Sequence, residues 1–255
     1  MFVSAALDCF PDLSHDAAVE ALEDLEFATV DVDLRSEGGH VPIDMILSDM
    51  DQAVQFVRHS HRLDIGSYSV YLPQPEPGLS HDPSHYDAFK EICRMGKATK
   101  VVTLTVPSSP LGTPFNEEVE HLKKLVEIAE TEGVRVAVRS MIGCLSEDPD
   151  TLMVFCDNVD GLGITLDPSV YVTGPAKNKS LDRILKYVFH VELRDSSPEE
   201  FQVPVGRGEV EYMKIINQLA REGYDRGLCV FIQPDDSIEH RVELRKLRRL
   251  LETMI

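Results

Sequence analysis

The chain has 255 residues, 43% hydrophobic and 27% charged, enough for one sizeable core and the usual length of a single (β/α)8 barrel. Its formal charge of −19, from 44 acidic and 25 basic residues, opposes binding to DNA, RNA or anionic membranes, which all call for cationic patches. No apolar run approaches the roughly 18 residues of a membrane span, and the N-terminus lacks the basic and apolar regions of a signal peptide. The five cysteines Cys9, Cys93, Cys144, Cys156 and Cys229 follow no metal or disulfide spacing, so reduced thiols and a cytoplasmic location are expected.

Short apolar runs alternate with helical patterns from the start. Residues 2–7 form the first strand. The segment after it, Cys9-Phe10-Pro11-Asp12-Leu13-Ser14, has none of the glycines that cradle a dinucleotide pyrophosphate. Ser14 caps a helix ending near Leu25. A strand over 28–34 leads through a long connection, 35–47, to a helix with Asp49 near its start that runs to His61. The third strand, 63–70, enters a proline-rich connection over 71–85. Connections of this length often serve as lids; the competing reading is a stiff connector facing solvent. His81 and His85 lie within reach of a ligand there, although lone loop histidines are usually just exposed.

After a fourth strand at 100–106, Asn116 opens the clearest helix. Glu117 and Glu118 fill its first turn, Leu122, Leu125, Ile128 and Ala129 form its buried stripe, and Gly133 stops it. Strands follow at 134–139 and 161–167. The segment from Gly174 to Ser180 has the lysine of a phosphate loop but not the second glycine before it, and reads as a surface turn. A strand over 188–194, a helix from about Glu209 to Glu222 ended by Gly223, a strand over 228–233 and a helix over 237–253 complete the chain. The basic residues of that last helix (Arg241, Arg245, Lys246, Arg248 and Arg249) read as a solvated face with partners such as Glu243 and Glu252. Eight strands alternating with helices imply one α/β domain over residues 1–255, a (β/α)8 TIM barrel with its chemistry at the C-terminal ends of the strands.

Four stretches carry a family resemblance: Ala129-Glu130 through Gly133-Val134 to Val138, Gly163-Ile164-Thr165-Leu166-Asp167-Pro168, His190-Val191-Glu192-Leu193-Arg194-Asp195, and Gly206-Arg207-Gly208-Glu209 through Gly223-Tyr224. In these the chain resembles the xylose-isomerase-like superfamily of barrels, which includes sugar-phosphate isomerases and epimerases, polyol dehydratases and the endonuclease IV group. The resemblance spans Phe2 to about Asp235. It implies a divalent cation at the mouth, held by Glu, Asp, His and Glu from the fifth to eighth strands. In this chain those positions hold Arg139, Asp167, Glu192 and Phe231, or Gln233 if the last register shifts by two. The residue three after Asp167, where the family often has a second histidine, is Val170.

An arginine offers no lone pair and repels a cation. Losing a carboxylate and a divalent ion while gaining a guanidinium nevertheless leaves the site charge unchanged. The expectation is therefore that Arg139 stands where the ion stood and bridges Asp167 and Glu192. Asp167 has a plainer reading as the cap of the turn after its strand. Glu192 shares its strand face with His190 and Arg194, and His190 reads equally as a core histidine or a catalytic group. By resemblance, Arg194 and Asp195 mirror the family's Lys-Asp dipeptide and Arg207 lies where the family contacts anionic substrate groups. The expected site is thus Asp167, Glu192, His190 and Arg139 for chemistry, with Arg194, Arg207, Gln233 and His85 for substrate.

Three functions remain open. The first is a barrel that binds a small polyhydroxylated or anionic metabolite without metal, either inactive as an isomerase or using acid/base pairs such as His190 and Glu192. The second is a carbohydrate isomerase, epimerase or lyase using Mg2+ or Mn2+ on displaced ligands. The third is a non-enzymatic scaffold or regulatory partner. Nuclease action is excluded by the missing ligands and the charge. No nucleic-acid or membrane partner is expected, and a homo-oligomer is left open because family barrels often pair through outer helices.

Overall fold

The computed structural model describes residues 1–59, 63–75, 81–177, 179–235 and 238–255. Its strands are β1 (Phe2–Ala6), β2 (Thr29–Arg35), the short β3 (Val41–Pro42), β4 (Asp64–Tyr71), β5 (Thr103–Pro107), β6 (Arg135–Arg139), β7 (Gly163–Leu166), β8 (Val188–Leu193) and β9 (Gly227–Val230). All pairings between these strands are parallel, and β1 pairs with both β9 and β2. The eight strands other than β3 thereby close into a ring, while β3 adds to the end of β2. The fold is the expected (β/α)8 barrel.

Around it run α1 (His15–Asp24), α2 (Ile43–Ser48), α3 (Met50–His59), α4 (Pro83–Thr99), α5 (Phe115–Glu132), α6 (Pro149–Asn158), α7 (Ser169–Thr173), α8 (Tyr212–Arg221) and α9 (His240–Glu252). Ser14 caps α1, its hydroxyl accepting the Ala17 amide at 3.4 Å. Gly133 stops α5 in the left-handed region at φ 73°, its N–H returning to the Ala129 and Glu130 carbonyls, a conformation that costs a glycine nothing. Helix α5 begins at Phe115, so Asn116 lies within its first turn instead of capping it. Helix α8 starts later than Glu209 because Gly206 and Gly208 belong to a separate turn. The expected far end of the α3 helix at His61, the start of the last helix at residue 237 and residues 76–80 of the 71–85 connection lie outside the described residues. No described helix is long and apolar enough to cross a membrane. On α9, Arg248 is buried and paired with Glu252 at 2.7 Å and with Glu26.

Strand β2 shows how the barrel is built. Val30, Val32 and Leu34 are buried on the face toward the helices, while Asp31, Asp33 and Arg35 occupy the alternate positions. Side-chain contacts between strands that are not neighbours prove which face looks inward. Thr105 on β5 meets Thr165 on β7 at 2.7 Å between hydroxyls, and Asp31 on β2 meets His190 on β8 at 2.6 Å. The interior is thus largely polar, with Ser67, Ser69, Thr103, Thr105, Thr165 and Glu192 all buried. Most barrels fill these layers with branched aliphatic residues. The Val, Ile and Leu content of the strands therefore packs mainly on the side toward the helices.

Candidate functional site

The C-terminal strand ends surround a cavity of about 570 Å3. Period-two geometry brings Asp8, Arg35, Tyr71, Arg139, Asp167, Glu192, Arg194 and Phe231 to its walls, the first from just beyond β1 and the others from the ends of their strands. Gln233 and Phe201 also line it.

Arg139, the last residue of β6, is buried and heavily bonded. One terminal nitrogen donates to Glu192 Oε1 at 2.6 Å and to Ser69 Oγ at 2.8 Å. The other donates to the Tyr71 hydroxyl. The expected bridge to Asp167 does not form. Asp167 Oδ2 is held instead by Arg194 at 3.1 Å, and its Oδ1 accepts the Ser169 amide at 2.9 Å, which is the turn-capping role. The mouth therefore carries two separate ion pairs in place of a triad with one shared cation. The reason is register: Arg194 continues the inward face of β8 one step beyond Glu192 and reaches Asp167 first. With Arg194 counted, two guanidiniums balance two carboxylates.

Phe231, just beyond the end of β9, lines the mouth. Its ring lies under both guanidiniums, 4.5 Å from that of Arg194 and 5.6 Å from that of Arg139, a cation–π arrangement. Gln233 also reaches the mouth, where its side-chain amide donates to the Asp8 carbonyl at 3.0 Å.

Three expected site residues lie elsewhere. His190 is enclosed deeper in the barrel against Asp31, beside a second cavity at the opposite ends of the strands. Their contact is one of charge, since neither atom meets hydrogen-bond geometry. Burial, the largest single influence, lowers the His190 pKa, but the close contact and charge of Asp31 together with the Glu192 charge outweigh it and the net shift is upward. Arg207 is exposed and outside the mouth lining. It sits in a glycine turn gripped by Asp195, whose Oδ2 accepts the amides of Gly206 at 2.7 Å and Gly208 at 3.0 Å. A side chain at Gly208 would collide with Asp195 and the Ser196 carbonyl, so Asp195 supports the strand end and makes no part of the mouth. His85 packs against His81 and His121 at a distinct place.

The mouth also contains groups that sequence reasoning passed over. Arg35 joins Asp8 at 2.5 Å and Asp33 at 3.2 Å, and its guanidinium lies 3.9 Å from the Tyr71 ring centre. Asp33 in turn holds His40, Oδ1 to Nδ1 at 2.5 Å, while His40 Nε2 donates to the Phe10 carbonyl at 3.1 Å. Burial raises the Asp8 pKa, with the Asp33 charge adding to it. The signal was legible: Asp31, Asp33 and Arg35 alternate with Val30, Val32 and Leu34, which marks a charged inward face.

The four strand-end positions do not fit a divalent ion. Such an ion collects lone pairs from several oxygens or nitrogens. Arg139 and Phe231 offer none, and both carboxylates are committed to guanidiniums. Asp8, Asp33 and His40 offer one donor atom each within 4.8 Å of one another, but Arg35 takes both carboxylates and both His40 nitrogens are hydrogen-bonded.

The fold and mouth define an eight-stranded α/β barrel with a charge-paired cavity in the position where such barrels keep their sites. A family profile described as xylose isomerase-like TIM barrel matches residues 19–253. The chain belongs to that family. Among solved structures, a D-psicose 3-epimerase from Clostridium cellulolyticum H10 superposes with a TM-score of 0.76 at 12% identity, over 100% of this chain and 98% of that one. A D-tagatose 3-epimerase-like protein gives 0.75 at 16% identity, over 100% and 98%. A xylose isomerase domain protein from Planctomyces limnophilus gives 0.73 at 17%, over 100% and 96%. At such identities these likenesses establish the fold. No curated protein matches the chain in sequence.

Proposed function

We propose that the mouth binds a small polyhydroxylated metabolite, in preference one carrying an anionic group, and does so without a divalent cation. The observation behind this reading is the Arg139–Glu192 pair, buried on both sides and seated at two of the four positions where the family resemblance implies metal ligands. A fixed guanidinium supplies positive charge there with no ion. Glu192 Oε2 is buried with no hydrogen-bond partner among the described residues, and buried carboxylate oxygens normally have one. A substrate hydroxyl or a water is a suitable donor. Phe201 and Phe231 offer apolar faces to a sugar ring, and the charged groups around them offer both donors and acceptors to its hydroxyls. The sugar-epimerase neighbours support the same substrate class.

The proton-shuttling pair of a metal-dependent isomerase is a separate matter. The two glutamate positions implied by the resemblance hold Arg139 and Phe231, neither of which can exchange a proton at neutral pH. In this reading the protein is inactive as a metal-dependent isomerase. Asp8, with its raised pKa, and Glu192 are the ionisable groups best placed to move a proton at the mouth.

The test is a thermal-shift screen with sugars, sugar phosphates, sugar acids and cyclitols, run with and without Mn2+. A ligand at about a hundred times its Kd adds about 2.7 kcal/mol, a rise of several degrees in Tm for a chain of this size. The proposal expects such a rise with no Mn2+ present and its loss in Arg139→Met. Ligand shifts that occur only with Mn2+, or no shift with any of these classes, defeat it.

A further inference from the structure

Outside the mouth, the fold gathers three histidines from two elements. His81 lies two residues before α4, His85 is in the first turn of α4, and His121 is on α5. One ring nitrogen of each lies within 4.8 Å of the other two. Each ring is also engaged by the protein. His81 Nε2 faces Gln74 Oε1 at 3.1 Å, and His121 Nδ1 meets the Tyr86 hydroxyl at 3.1 Å. The His85 ring stands beside those of His81 and His121, with centroids 4.4 and 5.3 Å away. The His121 bond to Tyr86 can stay while an ion takes the other nitrogen of that ring, and a hydrogen bond at one ring nitrogen usually orients a ligating histidine in this way.

We propose that His81, His85 and His121 form a binding site for a transition-metal dication, Zn2+ or a similar ion such as Co2+ or Ni2+, with water as the fourth ligand. Three imidazoles suit ions of this softness, whereas Mg2+ and Ca2+ want oxygens. The ligand set is ready at neutral pH. Burial lowers the His81 pKa to about 4 and the His121 pKa to about 2, with the neighbouring histidines adding to both, and burial lowers that of His85 as well. No proton has to be displaced before an ion enters. Lys124, its ammonium 3.6 Å from the centre of the Tyr86 ring, opposes a cation, while Glu117 and Glu120 line the same cavity and favour one.

Binding requires one local movement. The His81 and His121 rings are stacked, with centroids 3.6 Å apart and planes within 1°. Lone pairs in parallel planes do not converge on one ion, so the His81 ring has to turn out of the stack. The hydrogen bond to Gln74 is what it gives up. The resulting site would tie the connection after β4 to α5, and it would be independent of the mouth, whose lining includes none of the three histidines.

The experiment uses the full chain, stripped with chelator and titrated with Zn2+ and separately with Co2+ near pH 7.5. The expected result is one equivalent bound with a micromolar or tighter Kd, and a Co2+ visible spectrum of four-coordinate character. His81→Gln and His85→Gln should each weaken binding by about tenfold or more, and both sit at partly exposed positions where folding survives, as a melt of the metal-free variants will verify. Glu192→Gln at the mouth should leave the stoichiometry and Kd unchanged. Absence of binding below millimolar concentration overturns the proposal. So does one equivalent that persists in the His81→Gln, His85→Gln double variant, or binding that disappears with Glu192→Gln.

Discussion

Arg139 and Glu192 stand on β6 and β8, separated by β7, and meet at 2.6 Å across the barrel interior. Their side chains are 9% and 4% exposed, so each charge depends on the other for solvation. Removing one partner of such a pair leaves an uncompensated charge, at a cost of about 3–5 kcal/mol. Arg139→Ala should therefore lower the unfolding free energy by an amount of that order in urea titrations. The double variant Arg139→Met, Glu192→Leu should recover much of it, because both charges then vanish together. An Arg139→Ala protein as stable as the parent would show that the pair is not buried in solution.

The same relationship predicts how metal binding would be regained. Arg139→Glu with Phe231→Glu places carboxylates at the two strand ends that lack a donor, beside Asp167 and Glu192. Mn2+ affinity should rise by an order of magnitude or more over the parent, measured by calorimetric titration or electron paramagnetic resonance. If the doubly substituted protein folds and takes up no Mn2+, the correspondence between these strand ends and the family's ligand positions is wrong.

Stability should depend on pH through two opposed groups of histidines. His81, His85 and His121 have lowered pKa values, so the unfolded chain takes up protons near the ordinary value of 6.5 while the folded chain resists. Their neutral burial is unpenalised above 6.5 and costs stability as pH falls below it. His40 behaves in the reverse sense. Burial lowers its pKa, but Asp33 outweighs burial and raises it. Its contribution is complete below 6.5 and is lost as pH rises through the raised value. Asp33 is raised by burial, but its two hydrogen bonds from His40 and the His40 and Arg35 charges together lower its pKa, so it contributes above 3.8 and loses that contribution as pH falls through its lowered value. Unfolding free energies at about pH 5 and about pH 8 separate the two: His121→Phe should flatten the acid loss, and His40→Asn should destabilise more at pH 5 than at pH 8. Parallel curves for parent and variants would remove both assignments.

Asp195 is expected to be structural. Its Oδ2 accepts two amides of the glycine turn and its Oδ1 accepts the Ser196 amide at 3.1 Å. Asp195→Ala leaves the buried Ser196 amide and the partly exposed Gly206 and Gly208 amides unpaired, and a fully buried donor costs about 1–3 kcal/mol. The loss should appear in Tm, while ligand binding at the mouth, measured below the melting range, changes little. A selective loss of binding with unchanged Tm would move Asp195 into the site.

The eight strands, the start of α1 and the end of α5, and the positions of Arg139, Asp167, Glu192 and Phe231 at the mouth were readable because they depend on local periodicity and on caps such as Ser14 and Gly133. Asp31, Asp33 and Arg35 were equally visible as a charged alternation, although their partners were not. Which cation meets which carboxylate depends on distances across the barrel, between residues far apart in the chain. Arg139 was therefore expected on Asp167, which Arg194 occupies. His190 looked like a site residue because it shares a face with Glu192, but strand periodicity gives the face and not the depth, and its depth places it with Asp31. His81 read as a loop histidine and His85 as a substrate contact at the mouth, whereas the structure gathers both with His121 of α5. The amino-acid order by itself determined the barrel and the chemical character of its mouth, since propensity, patterning and capping act over a few residues. Only the closed tertiary structure decided the pairing of buried charges and the gathering of three imidazoles, because both arise from long-range contacts that ring closure and helix packing create.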